Sequence, residues 1–190
     1  LKLIIGIVGR IRSGKTTIAK LIAEKYGFTI RPMAQPLKAA ARMIFDWTDE
    51  HVNGKLKDEI DERFGISPRQ VLQHLGTEWS QFNLCKAFPE FAKITGRKVW
   101  AKNFALEYEK RKPINMIVDD IRFQHEIDGV KEVEPLSIIL RVIRPELDYS
   151  DGHASEEQKD LKVDTIIYND SDILTLTKKV EEILSRACII

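Results

Sequence analysis

Residues 6 to 20 read GIVGRIRSGKTTIAK, and no other stretch limits the fold as strongly. The apolar run from Leu3 to Val8 has the β-branched composition of a buried parallel strand. It runs into Gly9, and the spacing Gly9-x-x-x-x-Gly14-Lys15-Thr16 is that of a phosphate-binding P-loop. Glycine at both ends lets the backbone turn its N–H groups onto phosphate oxygens, and the helix that follows adds its partial positive charge. Lys15 is placed to bridge β- and γ-phosphates, Thr16 to hold Mg2+ through its hydroxyl, and Thr17 to reach an α-phosphate. Strand, tight loop and helix in that order commit the chain to an α/β layout.

The rest of the chain extends that layout. Ile18, Ala19, Leu21 and Ile22 recur at helical spacing and predict a helix from Lys15 to Tyr26, closed by Gly27. Phe28 to Arg31 is expected as a short strand stopped by Pro32, and Pro36 opens a helix through Ile44. Residues 46 to 66, rich in charge, read as a solvated, mobile connection. Ser67-Pro68 starts a helix expected to reach Phe82, and another is expected from Lys98 to Lys110. Asn115 to Asp119, Ser137 to Ile143 and Thr165 to Tyr168 complete five strands. Helices are expected from Gln124 to Val133 and from Ile173 to Leu184, the last capped by Ser171 or Asp172. Residues 144 to 162 contain Pro145 and Gly152 and read as a loop or lid. Strands alternating with helices predict a five-stranded parallel sheet covered on both faces, within one domain of 190 residues.

Composition narrows the function classes. With 30 basic and 29 acidic residues the net charge is +1, so bulk electrostatics gives no reason to expect nucleic-acid or membrane binding. No apolar run approaches the roughly 18 residues of a membrane span. Cys85 and Cys188 form no CxxC pair, which fits a reducing compartment without a disulfide or zinc framework. A cytoplasmic location is the expectation.

Other stretches are weaker taken singly. Val118-Asp119-Asp120 ends a strand on the sheet edge of the P-loop, where a carboxylate can position a metal's water or a substrate hydroxyl; it equally suits an acidic strand end. Arg122 offers a guanidinium suited to bidentate phosphate recognition, though a lone arginine is more often a surface ion-pair partner. His153 has no second His or Cys at ligand spacing, and Ser155-Glu156-Glu157 reads by itself as a helix start. Phe82, Phe88, Phe91, Trp100 and Phe104 read as core before base-stacking platform.

In order, these stretches resemble the phage-type deoxynucleoside monophosphate kinases, a branch of the P-loop nucleoside monophosphate kinases. The matching segments are VGRIRSGK from Val8, Ala34-Gln35-Pro36-Leu37-Lys38, Gln73-His74-Leu75-Gly76-Thr77 and Trp100 to Tyr108. They continue through Val118, Asp120, Arg122 and Glu126, Val142 to Pro145, His153-Ala154-Ser155-Glu156 and Asn169-Asp170-Ser171. The resemblance implies a three-layer P-loop kinase fold that transfers the γ-phosphate of ATP, with Mg2+, to a (deoxy)nucleoside monophosphate. It implies that Gly9, Arg12, Ser13, Gly14, Lys15, Thr16, Thr17 and Asn169 serve ATP. Lys38, Arg69, Gln73, Trp100, Arg122, Glu126, His153, Ser155 and Glu156 would serve the acceptor. Lys15, Asp120, Arg122 and Arg144 would act in the transfer, with Thr16 on the metal. An acceptor-binding helical region over about 36–112 and a lid over about 144–162 are expected within the single domain. The partner is a small nucleotide acceptor, and a homodimer stays open. The alternatives are a P-loop kinase of another small acceptor, such as dephospho-coenzyme A or phosphomevalonate, and a regulatory NTPase. Against the last stands the lack of an NKxD-like motif.

Overall fold

The apolar run before the P-loop becomes the central strand of the sheet. In the computed structural model, which describes residues 3–111, 115–145 and 160–186, β1 (Ile4–Val8) is buried at every position. Its neighbours are β3 (Met116–Ile121) and β4 (Ile138–Ile143), both parallel to it. β2 (Thr29–Ile30) pairs with β3, and β5 (Thr165–Tyr168) with β4, giving a five-stranded parallel sheet in the order β2-β3-β1-β4-β5. The chain leaves β1 for one side of the sheet and later crosses to the other. The carboxyl end of β1 is therefore the topological switch point where α/β sheets bind ligands.

α1 (Lys15–Tyr26) and α9 (Ile173–Arg186) cover one face. Ile18, Ala19 and Ile22 of the first and Leu176, Val180 and Leu184 of the second pack on Ile5, Ile7, Ile117, Leu140 and Ile167. Gly27 ends α1 at φ 70°, and Asp172 caps α9 by accepting the Thr175 N–H at 2.8 Å. Strand alternation sends Ile4, Val8, Val118 and Ile139 to the other face. There lies α8 (Gln124–Val133), with Ile127 and Val130 buried.

The chain groups into two compact units, Leu1–Pro32 with Phe104–Ile190, and Met33–Asn103. The second unit is helical and has its own core of Leu37, Ala41, Trp47, Val52, Val71 and Leu72. It contains α2 (Gln35–Phe45), α3 (Asp49–Val52), α4 (Pro68–Gln73), α5 (Leu84–Ala87) and α6 (Pro89–Ile94). α7 (Val99–Arg111) begins in this unit and continues into the other.

Two expectations are corrected here. Residues 46 to 66 are not a solvated connection: Val52 is buried, Trp47 is 3% exposed, and its indole donates to Asp61 at 2.7 Å. A 3-10 turn (Lys55–Asp58) links α3 to the rest. The helix capped by Ser67 keeps α-geometry only through Gln73 and then widens into a ten-residue π-helix, His74–Asn83. The wider turn changes which residues face inward. Thr77, Ser80 and Gln81 are buried, whereas Phe82 and Phe88, expected in the core, are about half exposed. Arg97 stacks on the Phe82 ring at 4.5 Å.

Candidate active site

The loop after β1 is built by close approach. A Cβ at Gly9 would lie 2.6 Å from the Val142 carbonyl and 2.7 Å from the Ser13 hydroxyl, so only glycine fits. Gly14, at φ 103°, stands in left-handed space, and a Cβ there would meet the Asn169 amide nitrogen at 2.5 Å. Arg12 also takes a left-handed conformation, at φ 61°, and points outward. Ser13 is buried, and its hydroxyl has no hydrogen-bond partner among the described residues. Lys15 folds over the loop, its ammonium donating to the Gly9 carbonyl and, at 2.7 Å, to the Arg10 carbonyl. Glycine crowding and a buried hydroxyl in the turn suit a phosphate cradle.

The Thr16 hydroxyl lies 3.4 Å from the Asp119 carboxylate, across from the end of β3. Ile117 packs on the α1 face, and Asp119 reaches the Thr16 hydroxyl at the start of α1; a bulge in β3 opposite Gly6–Val8 interrupts the alternation beyond it. Of the adjacent pair Asp119-Asp120, Asp119 is the acid with a bond to the loop. A hydroxyl and a carboxylate form the oxygen donor set that a hard divalent cation takes.

On the α8 face, the resemblance places Glu126 at the acceptor. In the structure its carboxylate accepts the Arg122 N–H at 2.8 Å and the Phe123 N–H at 3.2 Å, closing the turn that carries Arg122. Burial is the main reason its pKa rises to about 7. The charge of Asp120 pushes it further up, and the two N–H donors and the Arg122 guanidinium oppose the rise. At the end of β2, Arg31 forms an ion pair with Glu107 of α7, with side chains 12% and 22% exposed. Neither residue carries a motif that would have singled it out.

Thr17 is exposed on α1 and Arg144 is exposed past β4. Asn169, just past β5, donates its side-chain amide to the Ser13 carbonyl at 2.9 Å. Lys38, Arg69, Gln73 and Trp100 belong to the second unit. There Arg69 pairs with Asp58, and the Trp100 indole donates to the Gly76 carbonyl at 2.9 Å and the Ser80 hydroxyl at 3.1 Å. His153, Ser155 and Glu156 lie outside the described residues.

A P-loop at the switch point of a parallel 2-3-1-4-5 sheet, with a strand-end acid beside its threonine, defines a P-loop kinase. The profile of the deoxynucleotide monophosphate kinase family matches residues 48–180. A protein of Acanthamoeba polyphaga mimivirus, provisionally named a deoxynucleotide monophosphate kinase, is 32% identical over 179 residues, covering 90% of each chain. The chain belongs to the deoxynucleotide monophosphate kinase family. It is a kinase, and its acceptor is a nucleoside monophosphate.

Among solved structures, shikimate kinase from Aquifex aeolicus is similar at 10% identity and a TM-score of 0.48, over 98% of each chain. Dephospho-CoA kinase from Campylobacter jejuni is similar at 18% identity and a TM-score of 0.46, over 98% of this chain and 97% of that one.

Proposed function

We propose that the chain transfers the γ-phosphate of ATP, with Mg2+, to a deoxynucleoside monophosphate in the cytoplasm, releasing ADP and the diphosphate. The observation that carries this reading is the meeting of Lys15, Thr16 and Asp119 at the carboxyl end of the central strand. Mg2+, when bound, would supply charge neutralisation for the donor phosphates. Thr16 and Asp119 are the residues to hold it. The amides from Gly9 to Thr17 and the Lys15 ammonium bind the donor phosphates. Arg122 grips the acceptor phosphate and Asp120 orients it. Lys38, Arg69, Gln73 and Trp100 serve the rest of the acceptor, Arg144 acts in the transfer, and His153, Ser155 and Glu156, outside the described residues, are assigned to the acceptor as well.

An acceptor phosphate oxygen attacks the γ-phosphorus in line while the bond to the ADP oxygen breaks. The nucleophile is already an anion, so positioning and charge neutralisation suffice and no general base is needed.

The test is ADP release with ATP, Mg2+ and a panel of ribo- and deoxyribonucleoside monophosphates. Turnover should depend on the acceptor and favour deoxyribose. ATP hydrolysis indifferent to acceptor would point to the NTPase reading instead. Arg122→Lys keeps the charge but cannot copy the two-pronged contact. It should lower kcat/KM for the monophosphate by about tenfold or more, and leave ATP binding near wild type.

A further inference from the structure

Asn169 acts on the phosphate cradle from the far side of the sheet. Its backbone N–H extends the β5 ladder by donating to the Ile143 carbonyl at 2.7 Å, which anchors the residue. From there its side-chain amide donates to the Ser13 carbonyl at 2.9 Å, across a sequence separation of 156 residues. That carbonyl takes no part in α1, whose first bond runs from the Ile18 N–H to the Gly14 carbonyl at 3.0 Å.

A trans peptide holds its C=O and N–H in one plane, pointing in opposite directions. With the Ser13 oxygen drawn toward Asn169, the Gly14 N–H must point away from it. Gly14, at φ 103°, has no Cβ to resist rotation of that peptide, so the bond from Asn169 adds a restraint on its direction. The same contact explains why position 14 is closed to larger residues: a Cβ there would stand 2.5 Å from the Asn169 nitrogen.

We propose that Asn169 is a positioning residue for the donor phosphates, fixing the Ser13–Gly14 peptide so that the Gly14 N–H is presented to a phosphate oxygen. This rests on the reading of the loop as the ATP site. It differs from a base-contacting role, which position 169 would have if it only lined an adenine pocket.

Calorimetric titration of ADP, adenosine and inorganic tripolyphosphate separates the two roles, because tripolyphosphate has no base and adenosine no phosphate. Asn169→Ala should weaken ADP and tripolyphosphate by the same factor, about tenfold, and leave adenosine unchanged. Asn169→Asp, which cannot donate to the Ser13 carbonyl, should weaken both phosphate ligands at least as much. With ATP or GTP as donor, the KM should rise by equal factors in Asn169→Ala while the acceptor KM holds. Loss of adenosine binding with tripolyphosphate unaffected would overturn the proposal in favour of a base contact. A lower melting temperature with all three affinities at wild-type values would overturn it in favour of a structural role. A wild-type protein that binds neither ADP nor tripolyphosphate would instead remove the donor-site reading itself.

Discussion

At the scale of single residues, Asp119 is the strand-end carboxylate with a bond to the loop. Asp119 meets the Thr16 hydroxyl, so Asp119→Asn and Thr16→Ala should both raise the Mg2+ concentration for half-maximal activity, by about tenfold or more, since each 1.4 kcal/mol lost is a factor of ten. Metal-free ADP binding should change little in either. If Asp120→Asn shifts the Mg2+ dependence and Asp119→Asn does not, the assignment is reversed. Glu126 is a protonation device of another kind. Its folded pKa, raised from 4.5 to about 7, makes the native protein bind a proton more tightly than the unfolded chain does. The sign follows: its contribution is fully present below pH 4.5 and is lost as pH climbs through 7. At 1.36 kcal/mol per unit the loss is about 3 kcal/mol. Glu126→Gln keeps an acceptor for the turn and cannot ionise. Chemical denaturation at pH 5 and pH 8 should show the variant gaining on wild type by a few kcal/mol at the higher pH. An unchanged difference would mean that Glu126 titrates normally.

At the scale of elements, the helix after Ser67 shows what local signals can and cannot reveal. Its start is legible: Ser67 accepts the Gln70 N–H at 3.3 Å, and Gln70 returns a bond from the Ser67 N–H at 3.0 Å. Ser67→Ala should cost about 1 kcal/mol in a denaturant melt. The π-helix from His74 to Asn83 carries no comparable sequence mark. The Gly76 carbonyl accepts from the Trp100 indole, outside the segment, at 2.9 Å and from the Ser80 hydroxyl, within it, at 2.7 Å. Trp100→Phe keeps the ring's bulk and removes the N–H. It should destabilise by about 1 to 3 kcal/mol, with amides of the 74–83 segment losing the most hydrogen-exchange protection. Exchange that rises evenly along the chain would show that Trp100 does not hold that segment.

At the scale of the molecule, there are two cores. The sheet unit holds the P-loop, Asp119 and Arg122, and the helical unit holds Lys38, Arg69, Gln73 and Trp100. Trp47 is buried in the helical core, so Trp47→Ala should cost about 3 to 5 kcal/mol. Amides in Met33–Asn103 should then exchange faster while those of β1 and β3 stay protected, and the acceptor KM should rise more than the ATP KM. Uniform loss of protection would show that the two units unfold together. From the sequence alone come the P-loop, the strand alternation, the helix caps and the sheet, because each depends on spacing along a few residues of chain. The choice between Asp119 and Asp120 depends on strand register, which is set by pairing with β1 a hundred residues away. The packing of Trp47 and Val52, the π-helix and the bond from Asn169 to Ser13 likewise join residues through space, and only tertiary structure decides such contacts.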